Sequence, residues 1–180
     1  MEGPGGWGAV LAVAVGGAVK TVLIVCHANT CRSVMAQAIL ERLLAERNGD
    51  PPIRVRSGGV GRTARDGMIP SLDARLVLRE EGIELSETAI LSTDLRQHPD
   101  LVASADLILT MTARQKLELA ALAEADGRPV FTLKEFVGED GDIADPVGQG
   151  EDVYRACRDE IKRCLEKSLD RLLGAPQRPA

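Results

Sequence analysis

Two periods of hydrophobic and polar residues alternate along the chain. Thr21 to Val25 is a continuous apolar run with β-branched residues, the pattern of a strand buried on both faces. From Ser33 to Arg47 the apolar residues Met35, Ile39, Leu40, Leu43 and Leu44 recur at intervals of three and four, which predicts a helix ended by Asn48-Gly49-Asp50-Pro51-Pro52. Ile53 to Ser57 alternates as a second strand, with Gly58-Gly59 read as the turn after it. A helix is predicted from near Ser71 to Glu81, stopped by Gly82, and a short one before Ser104. Ala105 to Met111 reads as a third strand, Thr112 to Ala125 as an amphipathic helix N-capped by Thr112, and Val130 to Leu133 as a fourth strand. Gly138 to Gly150 is an acidic, glycine-rich loop, read as mobile, and Glu151 to Leu173 is a closing helix. Strands alternating with helices predict a single-domain α/β fold, a four-stranded parallel sheet with helices on both faces.

Length and charge narrow this picture. The 180 residues suit one domain, and 44% hydrophobic with 27% charged is ordinary globular composition. A net charge of −5 carries no basic surplus, so nucleic acid is not an expected partner. The N-terminus has an apolar stretch, Ala9 to Val15, but carries Glu2 and no early Lys or Arg, and it is too short and glycine-rich for a membrane helix. Residues 1–19 are therefore expected to be a leader, disordered or wrongly assigned to the chain, ahead of a folded domain at 20–175. No membrane partner is expected, and the chain is read as a monomer. The cysteines Cys26, Cys31, Cys157 and Cys164 are too sparse for a disulfide scaffold and imply a reduced, cytoplasmic protein. Cys157 and Cys164 fall in the last predicted helix as buried thiols.

The candidate chemistry lies where the first strand ends. In an open α/β sheet, sites form at the carboxyl ends of strands, and Cys26 stands there, ahead of a short loop and a helix beginning near Ser33. Helix N-termini offer unpaired N–H groups and partial positive charge, and a loop wrapped around one makes an anion cradle. A cysteine so placed has its thiolate stabilised. Arg32 adds a forked cation that can grip two phosphate oxygens, and Ser33 can hydrogen-bond the thiolate as a leaving group. His27, Ala28, Asn29, Thr30, Cys31 and Ser33 are thus the expected phosphate-binding ring, with Cys26 as nucleophile at its centre. Transfer to sulfur also needs a proton donor for the leaving group. Asp145, before Pro146 in I-A-D-P-V-G-Q-G, is the candidate. A phosphate-binding module without turnover is the alternative, disfavoured by the presence of Cys26, Arg32 and Asp145 together.

The segments C-H-A-N-T-C-R-S-V-M-A-Q-A-I-L, R-S-G-G-V, A-D-L-I-L-T-M-T and I-A-D-P-V-G-Q-G together resemble the low-molecular-weight protein tyrosine phosphatases, from Thr21 to the last helix. The resemblance implies Cys26 as nucleophile, Arg32 as phosphate ligand and Asp145 as general acid, then base, with phosphorylated proteins as substrates and no cofactor or metal ion. It also implies that Asn29 and Ser57 brace the loop. The family usually has glycine where Ala28 stands, proline at Val34 and a supporting histidine at Glu81.

Substrate choice within the family divides. Tyrosine-directed members carry an aromatic pair just after the Asp-Pro, where this chain has Val147 and Gly148, and they tend to have isoleucine at Thr30. The bacterial protein-arginine phosphatases are similar in N-T-C-R-S, in V-F-T-L-K-E, and in the last helix at Asp152-Val153-Tyr154 and Arg158-Asp159-Glu160-Ile161. Against this, they usually have phenylalanine at Val147. Phosphoarginine is the preferred expectation and phosphotyrosine the alternative. Arsenate reductases of this fold need a relay of further cysteines, and none lies between Cys31 and Cys157. Cys31, in the same loop as Cys26, is a candidate redox partner that would form a disulfide with it under peroxide.

Overall fold

The first apolar run becomes the centre of the sheet. In the computed structural model, which describes residues 18–47 and 52–174, β1 (Thr21–Cys26) lies between β2 (Arg54–Gly59) and β3 (Leu107–Thr110), and β4 (Val130–Thr132) pairs beyond β3. All three pairings are parallel, with Cys26 opposite Gly59 and Val25 opposite Thr110. Six helices join them: α1 (Arg32–Arg47), α2 (Leu72–Glu80), α3 (Pro99–Ala103), α4 (Ala113–Ala120), α5 (Leu133–Phe136) and α6 (Glu151–Leu172).

The continuous apolar pattern of β1 follows from burial on both faces. Val22, Ile24 and Cys26 join one core with α1, α2 and α6, while Leu23 and Val25 join a second with Leu95, Val102 and Leu119. Alternation along the strand splits its side chains between two helical layers. Each fully buried Leu or Ile contributes roughly 1.5–3 kcal/mol relative to exposure, so both layers depend on this strand. Asp106 closes its start by accepting from the backbone N–H of Lys20 and Thr21, at 2.8 Å each. Val19 is already buried in the core, whereas residues 1–17 of the expected leader and residues 48–51 of the helix-ending turn lie outside the described residues.

Several boundaries differ from expectation for identifiable reasons. Gly58 and Gly59 are not a turn but the end of β2. A Cβ on Gly58 would meet Leu95 Cδ2 at 2.4 Å, and one on Gly59 would meet the His27 carbonyl oxygen at 2.9 Å. These glycines are there for close backbone approach. The helix expected over Thr112–Ala125 has its capping box at Thr112 and Gln115 but stops at Ala120, because Leu122 turns to extended backbone before a 3₁₀ turn at Ala123–Ala125. The strand expected to reach Leu133 ends at Thr132, which caps α5 with Glu135 in a second capping box.

The order β2-β1-β3-β4 puts a topological switch point between the carboxyl ends of β1 and β3. Cys26 occupies that end of β1, and Met111 just past β3 anchors the acidic loop through Ile143 N–H donating to its carbonyl at 2.9 Å.

Candidate active site

The loop after β1 closes around the Cys26 sulfur. The Asn29 backbone N–H donates to Cys26 Sγ at 3.3 Å, and the Ser33 hydroxyl lies 3.0 Å from the same sulfur. The direction of that second bond follows from its neighbours. Asn29 Oδ1 accepts from Thr93 N–H at 2.9 Å, which fixes the amide so that its Nδ2 donates to Ser33 Oγ at 2.8 Å. Ser33 already accepts from the amide, so its own proton is free to point at the sulfur.

The same amide donates to Ser57 Oγ at 2.9 Å, Ser57 donates to Gln37 Oε1 at 2.6 Å, and Gln37 Nε2 donates to Glu41 at 2.9 Å. A buried polar chain thus runs from α1 through β2 to the loop. Asn29 has φ +58°, the only left-handed non-glycine among the described residues, and its side-chain bonds hold that conformation. Ala28 is outside the left-handed region, which explains why alanine fits where glycine is usual in the resembling family. Val34 is fully buried within α1. Glu81, at the position of the family's supporting histidine, faces α6 instead and pairs with Lys162 at 2.5 Å. Gln37 supplies the support on Ser57.

Arg32 is 4% exposed and reaches across to the acidic loop. One guanidinium nitrogen donates to the Ile143 carbonyl at 2.9 Å and another to Asp145 Oδ2 at 3.0 Å. Five N–H donors are available on the fork, so others are left for an incoming oxyanion. The Asp145 side chain is 47% exposed, and its Oδ1 accepts from Val147 N–H at 3.2 Å. Gln149 Nε2 donates to the Asp145 carbonyl at 2.6 Å, and Cys157 Sγ contacts the Ala144 carbonyl at 3.7 Å. The loop expected to be mobile is therefore tied at its base to β3 and α6 and along its length to itself.

A cavity of about 190 Å³ opens over this arrangement, lined by Cys26, His27, Ala28, Thr30, Cys31, Arg32, Thr63, Asp145 and Val147. Asn29 and Ser33 lie beneath this lining, fully buried. The structure thus brings together the sequence-predicted Cys26, His27, Ala28, Asn29, Thr30, Cys31, Arg32, Ser33, Ser57 and Asp145. Sequence reasoning did not single out Gln37, Thr93 or Thr63. The first two act through side-chain and backbone bonds to residues 20 and 64 positions away, with no local pattern to mark them.

Two further thiols lie buried beside the cavity floor. Burial pushes the Cys31 thiol far above the ordinary range, with the nearby Cys157 and Cys26 adding to the effect. Burial likewise pushes Cys157 up to about 12 and the neighbouring Tyr154 phenol to about 12. Cys31 and Cys157 are protonated at neutral pH, and all four cysteines are free. Among the described residues no group of three or more His, Cys, Asp or Glu side chains is placed to hold a metal ion, and no helix is long and apolar enough to cross a membrane. Chemically, the site can bind a tetrahedral oxyanion above a sulfur nucleophile and offer a carboxyl group to a departing atom.

Comparison with known proteins agrees with this geometry. Residues 21–176 match the model of the family described as low molecular weight phosphotyrosine protein phosphatase. The chain is 40% identical over 153 residues to a protein-arginine-phosphatase of Geobacillus stearothermophilus, covering 84% of this chain and 95% of that one. It is 34% identical to the probable low molecular weight protein-tyrosine-phosphatase EpsP of Ralstonia nicotianae, over 86% of this chain and 97% of the relative. Among solved structures, a mutant YwlE arginine phosphatase with a phosphorylated active-site serine superposes with a TM-score of 0.76 at 34% identity, covering 84% of this chain and 95% of the other. With the sheet, the sulfur-centred loop and these relatives in agreement, the chain belongs to the low molecular weight phosphotyrosine protein phosphatase family.

Proposed function

We propose that this enzyme hydrolyses phosphorylated protein side chains through a phosphocysteine at Cys26, with phosphoarginine as the preferred substrate. The observation that carries the reading is the floor of the cavity, where Cys26 Sγ receives the Asn29 N–H and the Ser33 hydroxyl while Arg32 and Asp145 close the rim.

In the first step the Cys26 thiolate attacks phosphorus. The P–N bond of phosphoarginine, or the P–O bond of a phosphate ester, breaks, and its electron pair leaves on that atom with a proton from the Asp145 carboxyl group. Arg32 and the loop N–H groups hold the equatorial oxygens through the transition state. In the second step the Asp145 carboxylate takes a proton from water, and the oxygen attacks phosphorus. The S–P bond breaks, returning the thiolate to its donors and releasing inorganic phosphate. The phosphorylated active-site serine of the YwlE mutant supports a covalent route of this kind.

Three observations favour a guanidinium over a phenol. None of the cavity-lining residues is Phe, Tyr or Trp, so no ring pair flanks a phenyl group, an arrangement worth roughly 0.5–1.5 kcal/mol beyond area. Thr30 lines the mouth with a hydroxyl beside the path of a polar leaving group. Asp145, half exposed at the rim, is open to a departing guanidine nitrogen, which needs a proton to leave. Phosphotyrosine is the second reading, favoured by Val147 standing where arginine phosphatases usually have phenylalanine. Turnover of phosphoarginine and phosphotyrosine peptides, measured side by side, decides between them. A clear preference for phosphotyrosine reverses the substrate assignment, and aryl phosphate turnover that survives Cys26→Ser overturns the mechanism.

Cys31 belongs to this reading as a protective thiol. Peroxide oxidises the Cys26 thiolate to a sulfenic acid, releasing hydroxide. The Cys31 thiol then attacks that sulfur, forming the disulfide and water. Burial keeps Cys31 protonated, so Cys26 is the sulfur oxidised first.

A further inference from the structure

One wall of the cavity mouth carries charges that the catalytic scheme does not use. The segment from Val60 to Ser71 runs along the rim and contributes Thr63 to the lining. It is pinned to the catalytic loop at both ends. Val60 and Gly61 N–H donate to the Cys26 and His27 carbonyls at 3.1 and 2.9 Å, and Ser71 N–H donates to the Thr30 carbonyl at 2.8 Å. Between these anchors the Ser92 hydroxyl donates to the Arg65 carbonyl at 2.5 Å and accepts from Met68 N–H at 2.9 Å. The wall is a preorganised surface rather than a loose loop.

Arg62 and Arg65 flank Thr63 on this wall. Both are exposed, and neither side chain makes an ion pair or hydrogen bond with any described residue. The carboxylate of this segment, Asp66, is not paired with either of them. Asp66 Oδ2 is 2.8 Å from His98 Nε2, and its Oδ1 accepts from Asp94 N–H at 2.7 Å. Asp94 is in turn taken by Arg96 at 2.8 Å. On a chain of net charge −5, two uncompensated guanidinium groups beside the catalytic mouth are a local reversal of sign. Beyond them Met68 and Ile69 are 42% and 49% exposed, an apolar shelf that a polypeptide can use and a small free phosphate cannot.

We infer that the Arg62–Arg65 wall is a substrate-docking surface that selects phosphorylated residues flanked by acidic side chains in a protein segment. The inference rests on the phosphatase reading above and adds its sequence preference. The cations lie outside the cavity lining, so they act on the residues around the phosphorylated one and not on the phosphate itself. Exposed pairs of this kind are individually weak and salt-sensitive, so the preference is moderate and strongest at low ionic strength.

The test uses three phosphoarginine peptides that differ only in carrying Glu, Gln or Lys on both sides of the phosphorylated residue. The expected result is a kcat/KM about fivefold higher for the Glu peptide than for the Gln peptide at low salt, smaller again for Lys, and nearly levelled in 0.5 M salt, as pairs worth a fraction of a unit in log K each would give. Arg62→Glu with Arg65→Glu should invert the order while para-nitrophenyl phosphate turnover stays within about twofold, since no lining residue has changed. Binding of the same peptides by the full-length Cys26→Ala protein should show the same ranking. Equal treatment of the Glu and Gln peptides, or a ranking that survives the double substitution, overturns the docking surface. Absence of para-nitrophenyl phosphate turnover in the unaltered protein overturns the phosphatase reading instead, and the Cys26→Ala binding ranking still decides the docking surface.

Discussion

The two halves of the catalytic cavity are built in opposite ways. The nucleophile half is buried and cross-braced: Asn29 and Ser33 have no exposed surface, and the Asn29 amide is tied to Ser33, Ser57 and the Thr93 N–H. The acid half is exposed and mostly self-supported, with Asp145 held by Val147 N–H, by Gln149 and by Arg32. The difference follows from their tasks. An anion cradle works only if its donors are fixed before the charge arrives, because reorganising dipoles during reaction costs free energy. A group that must deliver a proton to a leaving atom and then take one from water has to remain in contact with solvent and substrate.

Removing the nucleophile breaks the first half outright. Cys26→Ala should lower kcat on any phosphorylated substrate by on the order of 10⁴-fold or more, because the remaining donors can hold but not attack the phosphate. Single-turnover assays with para-nitrophenyl phosphate would show no burst. A residual burst of para-nitrophenol in that variant would remove Cys26 from its role.

Asp145→Asn addresses the acid half and should cost roughly 10²–10⁴-fold in kcat. The loss should depend on the leaving group. Para-nitrophenolate leaves readily without a proton, whereas a guanidine nitrogen or an unactivated phenol does not. A smaller loss on para-nitrophenyl phosphate than on phosphopeptides is therefore expected, and equal losses would argue that Asp145 serves another purpose.

Asn29 tests whether bracing matters as much as chemistry. Asn29→Gly retains the left-handed φ but leaves the Thr93 N–H without its acceptor and removes the donor to Ser33 and Ser57 Oγ, at about 1–3 kcal/mol for each group left unpaired. A loss of roughly 2–4 kcal/mol in urea unfolding is expected, with kcat reduced by about tenfold or more through a loosened cradle. Asn29→Ala should be worse than glycine by about 1 kcal/mol, the cost of placing a Cβ in that backbone region. A glycine variant with the midpoint and kcat of the parent would show the network to be incidental.

The unequal construction also governs what could be read from the chain alone. Cys26, Asn29, Arg32 and Ser33 were legible because strand, loop and helix start are contiguous, so one stretch of sequence carries the whole cradle. Asp145 was legible through its adjoining proline. Gln37 and Thr93 were not, because a polar residue on a helix or in a loop looks like solvated surface until the fold brings it beneath the cradle. Gly58-Gly59 was misread because glycine marks both turns and close backbone approach, and only the position of Leu95 and the His27 carbonyl tells them apart. The helix over Ala113–Ala120 was drawn too long because Leu119, Leu122 and Ala125 keep a helical period across a break in the backbone. In α5 four residues are too few for any period, and only Thr132 with Glu135 announced it.

Cys31 sharpens the comparison from within the buried half. After peroxide treatment, Cys31→Ala should regain several-fold less activity on adding dithiothreitol than the parent, since nothing would intercept the Cys26 sulfenic acid before it becomes a sulfinic acid that thiols cannot reduce. Recovery is expressed relative to each protein's own activity before peroxide, because Cys31 also lines the cavity. Equal recovery in parent and variant would rule out the protective role.

The smallest expected effect lies on the exposed wall, at the His98–Asp66 pair. Asp66 beside it raises the His98 pKa above its ordinary 6.5, chiefly through their hydrogen bond, with Asp100 and Asp94 adding to the field. The Asp66 pKa lies below its ordinary 3.8, through the Asp94 N–H first and His98 next. A raised histidine contributes stability that is complete below 6.5 and disappears as pH rises through the folded value. A depressed carboxylate contributes above 3.8 and loses it as pH falls through its own folded value. The pair is therefore tightest between 3.8 and 6.5 and relaxes as pH rises through the raised His98 value. As pH rises through the raised His98 value the imidazole loses its charge, so this side of the molecule carries one cation fewer and any preference for acidic peptides should shrink. NMR titration of the imidazole resonances checks the origin directly: His98 should titrate above 6.5 in the parent and move back toward it in Asp66→Asn. If His98 titrates identically in both proteins, the two side chains do not sense each other and the pH dependence of the wall must come from elsewhere.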